Sequence, residues 1–327
     1  MNRLEINAGE RRALAQILDE VEGDFGDLET DAALNRATIL AHELPNRIRV
    51  VMNDFRREKM SGVLCVSGYV VDQERVGPTP AHWRDRGTPS PARREESLLV
   101  LLGSLLGDPF SWATQQDGRL IHDVLPIKGH EHVELGSSSE SPLSWHTEDA
   151  FHPLRSDFVS FGCLRNPYAA STTVALVDSV DVPESIMEIL SQKRFFIRPD
   201  HSHLADNNSV SGSVDFAGIE EMQKNPEPVA ILFGDLDRPY VRADPTFMDV
   251  DPGDHEARRA FDWFVAAVNR NIYEVCLQSG DFCFLDNFRV VHGRRSFKAR
   301  YDGTDRWLKR LSVTSDLRNS NGKRSRS

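Results

Sequence analysis

Two short histidine-bearing segments hold side chains that could bind a transition metal. In SWHTEDAFH, one residue separates His146 from Glu148. Residues i and i+2 of an extended chain point to the same side, so this imidazole and carboxylate converge. In DNFRVVHGRRSF, His292 follows an apolar run and precedes a glycine. Two imidazoles and one carboxylate form the facial triad of non-haem iron(II) oxygenases, so the sequence predicts iron(II) bound by His146, Glu148 and His292, with coordination positions left open for O2 and a co-substrate.

An arginine downstream of the second histidine could hold an organic acid. Arg306 lies in YDGTDRWLKR, and a guanidinium is a rigid fork that matches a carboxylate. We therefore predict that Arg306 binds the distal carboxylate of 2-oxoglutarate, with a hydroxyl from NPYAASTTV, Thr173, donating to the same group. The alternative is a surface ion pair between Arg306 and Asp302 or Asp305.

Composition argues against several other classes of protein. The formal net charge is −11, with 39 basic and 50 acidic residues, and no basic stripe is visible that could neutralise nucleic-acid phosphates. The charged N-terminus is unlike a secretory signal, and no apolar run reaches the roughly 18 residues of a membrane helix. Four scattered cysteines without a CxxC pair predict free thiols in a reducing compartment. We expect a cytoplasmic protein that binds neither nucleic acid nor membrane; its oligomeric state is not predicted.

Hydrophobic periodicity predicts the elements that position these residues. Helices are predicted at 8–22, 94–106, 183–192, 217–224 and 254–270. Strands are predicted at 62–67, 157–164, 172–177, 229–234, 272–278, 281–286 and 307–314, with a hairpin turn at QSGD (278–281). The pattern favours a mainly β fold with flanking helices and a double-stranded β-helix (jelly roll, cupin-like) core.

One oxygenase domain is predicted over 1–318, because no Pro/Gly/Ser-rich linker divides the chain. Its helical N-terminal part covers about 1–60, and the jelly-roll core about 61–318. A lid is expected at about 197–225. The final stretch, 319–327, is predicted to be a disordered basic tail.

Several sequence blocks resemble the clavaminate synthase-like branch of the 2-oxoglutarate oxygenases. They are WATQQDG (112–118), LPIK (125–128), WHTEDAFHP (145–153), LRNP (164–167), GDFCFLDNFRVVHGRR (280–295) and ARYDGTDRWLKR (299–310). They are most similar to L-arginine hydroxylases of peptide-antibiotic pathways, of the viomycin and streptothricin types, over about 37–318. The resemblance implies iron(II), 2-oxoglutarate and O2. It also implies hydroxylation of free L-arginine at Cβ and/or Cγ, giving hydroxyarginine, succinate and CO2.

The same resemblance implies the substrate contacts. Gln115, with Glu148 as a second contact, would meet the α-amino group, and Arg310 the α-carboxylate. Asp244 would face the guanidinium, and Asp200 of the lid would be a closing contact. Each charged group of a desolvated amino acid needs such a partner. From the residues alone, Gln115 could instead cap a turn, Asp244 could start one, and Arg310 could point outward.

Two departures from the related hydroxylases concern the substrate. The viomycin-type pattern has acidic residues two apart at the guanidinium site, whereas here Pro245 and Thr246 follow Asp244; Thr246 is therefore included among the expected contacts. The loop Glu134-Leu135-Gly136 also lacks a serine that relatives offer the substrate. The alternative substrates are the cyclic guanidino amino acid enduracididine, lysine, ornithine and asparagine. A non-catalytic protein that binds 2-oxoglutarate or an amino acid is the alternative from a different class.

Overall fold

Sixteen strands and eight helices make up the regular structure of the described residues, which in the computed structural model are 1–24, 28–208 and 216–320. The strands are β1 (Asn2–Glu5), β2 (Val63–Ser67), β3 (Asp108–Phe110), β4 (Ile121–Val124), β5 (Leu143–His146), β6 (Phe158–Arg165), β7 (Thr172–Leu176), β8 (Phe195–Ile197), β9 (Pro228–Val229), β10 (Leu232–Phe233), β11 (Tyr240–Val241), β12 (Met248–Val250), β13 (Tyr273–Val275), β14 (Phe282–Asp286), β15 (Val290–Arg294) and β16 (Trp307–Thr314). The helices are α1 (Ala8–Asp24), α2 (Asp31–Leu40), α3 (Asn46–Arg56), α4 (Gln73–Val76), α5 (Arg93–Ser104), α6 (Glu184–Leu190), α7 (Ala217–Lys224) and α8 (His255–Asn271).

Two sheets that share an apolar core form the predicted jelly roll. The large sheet has the order β1-β2-β14-β6-β16-β3, with β4 also paired to β16, and the small sheet has the order β13-β7-β15-β5. All of their pairings are antiparallel except β1 with β2. The core joins apolar residues of both sheets, namely Val63, Cys65, Val159, Phe161, Cys163, Val174, Val275, Leu277, Cys283, Leu285, Val290 and Leu308. The metal-ligand candidates therefore lie on a framework held by apolar burial.

Helices cover the outer faces of both sheets. Helices α1, α2, α3 and α5 share one apolar cluster with the large sheet, and every residue of α5 from 95 to 104 is buried, as its apolar sequence predicts. Helices α6 and α8 pack together with the small sheet and the short sheet β12-β8-β9. Helix α8 begins where Asp254 accepts the amide of Ala257 at 3.0 Å, which satisfies one otherwise free donor.

The predicted hairpin at 278–281 is wrong. The chain does turn there, since Gly280 has φ +89° and Asp281 accepts the amide of Gln278 at 2.9 Å. The flanking strands, however, enter different sheets, because β13 pairs with β7 and β14 pairs with β2 and β6. A local turn signal specifies the reversal of the chain but not the partner of each strand.

Three further predictions differ from the structure or fall partly outside it. The strand predicted at 229–234 is two short strands, because β9 pairs with β8 and β10 with β11. The predicted tail begins too early, because 319–320 belong to the 3-10 helix Leu317–Ser320; 321–327 lie outside the described residues. Of the predicted lid, 209–215 also lie outside them.

The four cysteines are free thiols in the described structure, as the sequence predicts. Cys65, Cys163 and Cys283 are buried, Cys276 is half-buried, and none forms a disulfide. Among the described residues, no helix is both long and apolar enough to cross a membrane.

A buried charge cluster joins α5 to the large sheet and supports a stability prediction. Lys309 Nζ lies 2.7 Å from Glu96 Oε1 and 2.5 Å from Asp123 Oδ1, with all three side chains no more than 1% exposed. Lys309→Met would leave buried Asp123 without its salt-bridge partner. It would leave buried Glu96 with Arg86 as its remaining cation, whose Nη1 lies 3.7 Å from Glu96 Oε1. We expect it to lower the free energy of unfolding by about 3–5 kcal/mol, measured by urea denaturation.

An exposed lysine provides the control for this substitution. Lys224 pairs with Glu220 four residues before it, and both side chains are more than 60% exposed. Lys224→Met should cost less than about 0.5 kcal/mol, because water already solvates both charges. Equal losses in the two variants would contradict the assigned role of the buried cluster.

Candidate active site

The three predicted metal ligands meet in the small sheet. His292 on β15 lies directly opposite His146 on β5, and Glu148 follows two residues after His146. Glu148 Oε2 is 3.6 Å from Nε2 of His146 and 3.3 Å from Nε2 of His292. Atoms bound to one ion at about 2.1 Å each are separated by distances of this size. The structure thus brings together two imidazoles and one carboxylate that could share an ion.

The hydrogen bonds of the cluster also fit a metal ion. His146 Nδ1 lies 2.9 Å from the carbonyl oxygen of Ser144, an arrangement that leaves the Nε2 lone pair for a ligand bond. Glu148 Oε2 is buried and receives no hydrogen bond from the described residues. A buried anionic oxygen without a donor is costly, and a cation between the three side chains would remove that cost.

The electrostatics of the cluster favour exchange of a proton for a metal. Burial opposes charge on His146, but the adjacent Glu148 carboxylate outweighs it and raises the pKa of His146 to about 9. Burial also opposes charge on Glu148, yet Arg310 and the two imidazoles hold its pKa well below the usual range. For His292, burial prevails and lowers the pKa. Metal binding would therefore release the proton held by His146.

A glycine sets how closely the two histidine strands approach. A Cβ on Gly293 would lie 2.5 Å from the carbonyl oxygen of Leu143 on β5. The pairing of β5 with β15 is irregular next to it, between His292 and Arg294. No other residue fits at this position without separating the strands that carry His146 and His292.

Arg306 is buried and faces the cavity beside the cluster, not a surface acid. The Asp305 carboxylate accepts hydrogen bonds from the backbone amides of Arg300 and Tyr301. Asp302 forms a salt bridge with Arg300. Burial lowers the pKa of Arg306 to about 10, because no carboxylate of the described residues pairs with it. The surface-ion-pair alternative is therefore wrong.

The hydroxyl beside Arg306 is that of Thr172 and not the predicted Thr173. Arg306 Nη2 donates to Thr172 Oγ1 at 3.4 Å, and Thr172 lines the cavity. Thr173 pairs with Gly293, and its Oγ1 packs against that residue. Side chains alternate along β7, so an error of one residue selects the opposite face.

A second buried arginine lines the same end of the cavity. Arg294 donates to Ser138 Oγ at 2.7 Å and to the carbonyl oxygens of Ser139 and Ser141 at 3.2 and 3.1 Å. Burial, and then repulsion from Arg306, lower the pKa of Arg294 to about 10. This end of the cavity carries two cations, and neither forms a salt bridge with an acid of the described residues, although Glu134 lies near Arg294. The arrangement suits a dianionic ligand.

The opposite part of the cavity is acidic. Asp244 is buried, and its Oδ1 accepts the amides of Thr246 and Phe247 at 3.1 and 3.3 Å. It therefore starts a turn and also lines the cavity, as do Asp200 and the exposed Thr246. Burial raises the pKa of Asp244 to about 6, and the negative charge of Asp200 adds to this increase. A cation placed between the two carboxylates would relieve both effects.

The remaining predicted contacts, Gln115 and Arg310, also line the cavity. Gln115 stands at the N-cap position of a 3-10 turn but makes no side-chain capping hydrogen bond; its Nε2 donates to Ser202 Oγ at 2.7 Å. Arg310 points inward, donating to Glu148 Oε1 and to His122 Nδ1 at 2.6 Å. Its Nε is buried and has no acceptor in the described structure.

Several residues that line the cavity or contact its lining carry no local sequence signal. Ser202, His122 and Thr172 reach the site through partners more than 80 residues away in the chain. A histidine or serine at such positions looks like any other in the sequence, and only the fold selects it.

Comparison with known proteins identifies the family. Residues 86–312 match the taurine catabolism dioxygenase TauD, TfdA family. The chain belongs to the TauD/TfdA family. The L-ornithine/L-arginine 3-hydroxylase of Catenulispora acidiphila is 44% identical over 98% of this chain and 96% of the relative. The enduracididine beta-hydroxylase of Streptomyces hygroscopicus is 42% identical over 94% of this chain and 93% of the relative.

A solved structure of a non-heme iron oxygenase has the same fold. The crystal structure of the non-heme iron oxygenase OrfP in complex with Fe, succinate and (3S)-hydroxy-L-Arg superposes with a TM-score of 0.95. It is 42% identical and covers 98% of this chain and 96% of its own. These relatives confirm the predicted resemblance to arginine hydroxylases, the jelly-roll fold and membership of an iron oxygenase group.

Proposed function

We propose that the protein is an iron(II)- and 2-oxoglutarate-dependent hydroxylase of free L-arginine that acts at Cβ and/or Cγ. His146, Glu148 and His292 are the proposed iron ligands, and Arg306 with Thr172 the proposed 2-oxoglutarate contacts. The relatives support this assignment, because one is named for ornithine and arginine and OrfP was crystallised with a hydroxyarginine.

The observation that carries the proposal is the charge arrangement of one cavity. Arg306 and Arg294 line one part, Asp200 and Asp244 line another, and the candidate metal cluster lies in the same cavity. None of these four side chains forms a salt bridge within the described residues. Buried charges without partners are costly, so each part fits a ligand of opposite charge: a dicarboxylate at the arginines and a cationic side chain at the aspartates.

Each side chain then has a defined task. Arg306 holds the distal carboxylate of 2-oxoglutarate, and the guanidinium of Arg310, which lines the cavity, pairs with the substrate α-carboxylate. Gln115 contacts the α-amino group, while Asp244 and Asp200 hold the guanidinium. Bound iron with 2-oxoglutarate and O2 supplies the oxidising chemistry. The protein positions one C–H bond of the substrate towards it and excludes water.

Mass spectrometry of aerobic reactions tests the proposal. Protein with iron(II), 2-oxoglutarate and L-arginine should yield a product one oxygen atom heavier than arginine, formed only when 2-oxoglutarate is present, together with succinate. A gain of two oxygen atoms would indicate successive hydroxylations. If no succinate forms with any free amino acid, the protein is a binding protein and the proposed function is wrong.

Enduracididine and ornithine are the second candidate substrates. The enduracididine hydroxylase is nearly as similar to this chain as the ornithine/arginine enzyme, and both substrates are cationic amino acids that the acidic part of the cavity could hold. Competition assays with equal concentrations of the three amino acids rank them by kcat/KM.

Asp244→Asn tests the cationic subsite. It removes the charge but keeps the oxygen that accepts the Thr246 amide. We expect the KM for L-arginine to rise about 10–100-fold, the effect of one lost charged hydrogen bond, with an unchanged KM for 2-oxoglutarate. Asp249→Asn, at an exposed acid paired with Arg198, is the control. An unaltered KM in Asp244→Asn would refute the guanidinium assignment.

The pH profile provides an independent readout of the same residue. The pKa of Asp244 is raised to about 6 by burial, and only its ionised form attracts a cation. In the wild type, kcat/KM for arginine should therefore fall as the pH drops below about 6, because this parameter follows ionisations of the free enzyme. The kcat/KM of Asp244→Asn should not show this decrease at low pH.

A further inference from the structure

A buried hydrogen-bond network joins three segments beside the cavity. His203 is fully buried, in a 3-10 turn over residues 201–203. Its Nε2 lies 3.0 Å from Asp149 Oδ1, and its Nδ1 lies 2.9 Å from Thr114 Oγ1. The second oxygen of Asp149 accepts Trp112 Nε1 at 2.7 Å. No proposed metal or co-substrate contact takes part in these bonds.

Three members of this network, Thr114, Asp149 and His203, are each the sequence neighbour of a cavity-lining residue. Thr114 precedes Gln115, Asp149 follows Glu148, and His203 follows Ser202. The cavity-lining neighbours are themselves connected, since Gln115 donates to Ser202 Oγ at 2.7 Å. The Gln115–Ser202 bond therefore joins two of the three segments at the cavity wall. The bonds among Thr114, Asp149 and His203 join all three, and Asp149 also lines the cavity.

The segment that carries His203 covers the acidic part of the cavity. Asp200 accepts the amide of Ser202 at 2.8 Å, and Asn208 donates to the carbonyl oxygen of Thr114 at 2.8 Å. The Asp200–Ser202 bond lies within the segment 200–208, whereas Asn208 attaches its end to the loop at Thr114. His203 is the buried side-chain attachment of this segment to the loop that contains Glu148. Asp149 in that loop has a φ of +50°, a backbone conformation that needs support from its surroundings.

The chemistry of His203 suits an attachment in a dry environment. A carboxylate only accepts, so Nε2–H donates to Asp149, while the Thr114 hydroxyl can donate to Nδ1 or accept from it. Burial opposes charge on the imidazole, but Asp149 outweighs burial and raises the pKa of His203. The ring of Phe151 packs edge-on at 4.9 Å. Bonds to charged groups are strongest where water is excluded.

We propose that His203 is a positioning residue: through Asp149 and Thr114 it holds the segment 200–208 closed and keeps Gln115, Ser202 and Glu148 in register around the substrate. This inference rests on the proposed function. It predicts that loss of the network impairs substrate binding and leaves the binding of iron and 2-oxoglutarate unchanged. The substrate would bind less tightly and in less uniform poses, so fewer turnovers of 2-oxoglutarate would end in hydroxylation.

Two variants of His203 separate its two hydrogen bonds. His203→Asn places an amide near the former Nδ1 and keeps the contact with Thr114, whereas His203→Gln reaches the former Nε2 and keeps the contact with Asp149. We expect His203→Asn to raise the KM for L-arginine roughly tenfold, as expected for a lost bond to a carboxylate, and to lower the ratio of hydroxylated product to succinate. His203→Gln should retain most of both properties. The KM for 2-oxoglutarate and the affinity for iron(II) should stay unchanged.

The exposed His201 in the same turn provides the matched control. His201→Asn should leave the KM for arginine and the product ratio as in the wild type. A merely structural role of His203 would instead lower iron affinity, 2-oxoglutarate affinity and thermal stability together. That result, or identical behaviour of His203→Asn and His203→Gln, would overturn the proposal.

Hydrogen–deuterium exchange distinguishes failure of this inference from failure of the proposed function. In protein loaded with iron(II) and 2-oxoglutarate without amino acid, amides of 200–208 should exchange faster in His203→Asn than in the wild type. Should the wild type leave arginine unoxidised, the proposed function fails, but this comparison still reports the attachment. Equal exchange of the 200–208 amides in the two proteins would contradict the positioning role, whichever substrate the protein uses.

Discussion

His146→Ala is expected to abolish iron-dependent succinate formation. The variant removes one of three side chains that converge on a single point, with Glu148 Oε2 only 3.6 Å from His146 Nε2. Changing even the outer partners of metal ligands costs about 10–100-fold in affinity or activity, so loss of a ligand should cost more than about 100-fold in iron affinity. Anaerobic iron(II) titration and a succinate assay measure the two effects.

An ion pair that does not involve His146 supports folding of this variant. Glu148 keeps its contact with Arg310 after His146 is removed, so the buried carboxylate is not left alone. His132→Ala, at a histidine whose side chain is 74% exposed, should bind iron as the wild type does. Retention of iron-dependent succinate formation in a folded His146→Ala protein would refute the metal-site assignment.

Arg306→Met is expected to weaken 2-oxoglutarate binding and to stabilise the fold. Truncating one partner of a buried charge pair costs about 2–5 kcal/mol, so the KM for 2-oxoglutarate should rise by roughly 30- to several thousand-fold. Without co-substrate, however, Arg306 is a buried cation lacking a carboxylate partner, and burial lowers its pKa to about 10. Methionine removes this desolvation cost, so the thermal midpoint of the co-substrate-free protein should increase.

The sign of the stability change follows from the pKa shift. A base whose pKa is lower in the folded than in the unfolded state is destabilising wherever the unfolded state keeps it charged, which includes neutral pH. Arg306→Lys keeps the charge but loses the fork, so its KM should lie between those of the wild type and Arg306→Met. Arg295→Met, at an exposed arginine paired with Glu274, should change neither quantity. Unaltered 2-oxoglutarate affinity in Arg306→Met would exclude this residue as the anchor.

Patterns that repeat locally made much of the fold and the metal cluster predictable from sequence. The i, i+2 spacing of His146 and Glu148 placed both on one side of an extended chain, and the structure has them converging with His292. The apolar stripes of α1 and α8, and the buried helix α5, which is apolar on most faces, also appear where periodicity placed them. These features depend on the side-chain periodicity of strands and helices, and that periodicity can be read from a single sequence.

The errors arose where a choice depended on distant parts of the chain. Thr172 and Thr173 are equivalent in sequence, and only the register of β7 against β15 decides which faces Arg306. The turn at 278–281 could not indicate that β13 and β14 belong to different sheets. The bond between His203 and Asp149 spans 54 residues and leaves no periodic trace.

The close approach at Gly293 has a consequence for mutational tolerance. In a saturation scan scored by iron content, substitutions at Gly293 should behave like substitutions of a ligand, although glycine offers no ligand atom. Any side chain would press on the Leu143 carbonyl and widen the gap between the two histidine-bearing strands. The gap into which iron must fit is thus set by the missing side chain of Gly293 as much as by the atoms that would bind it.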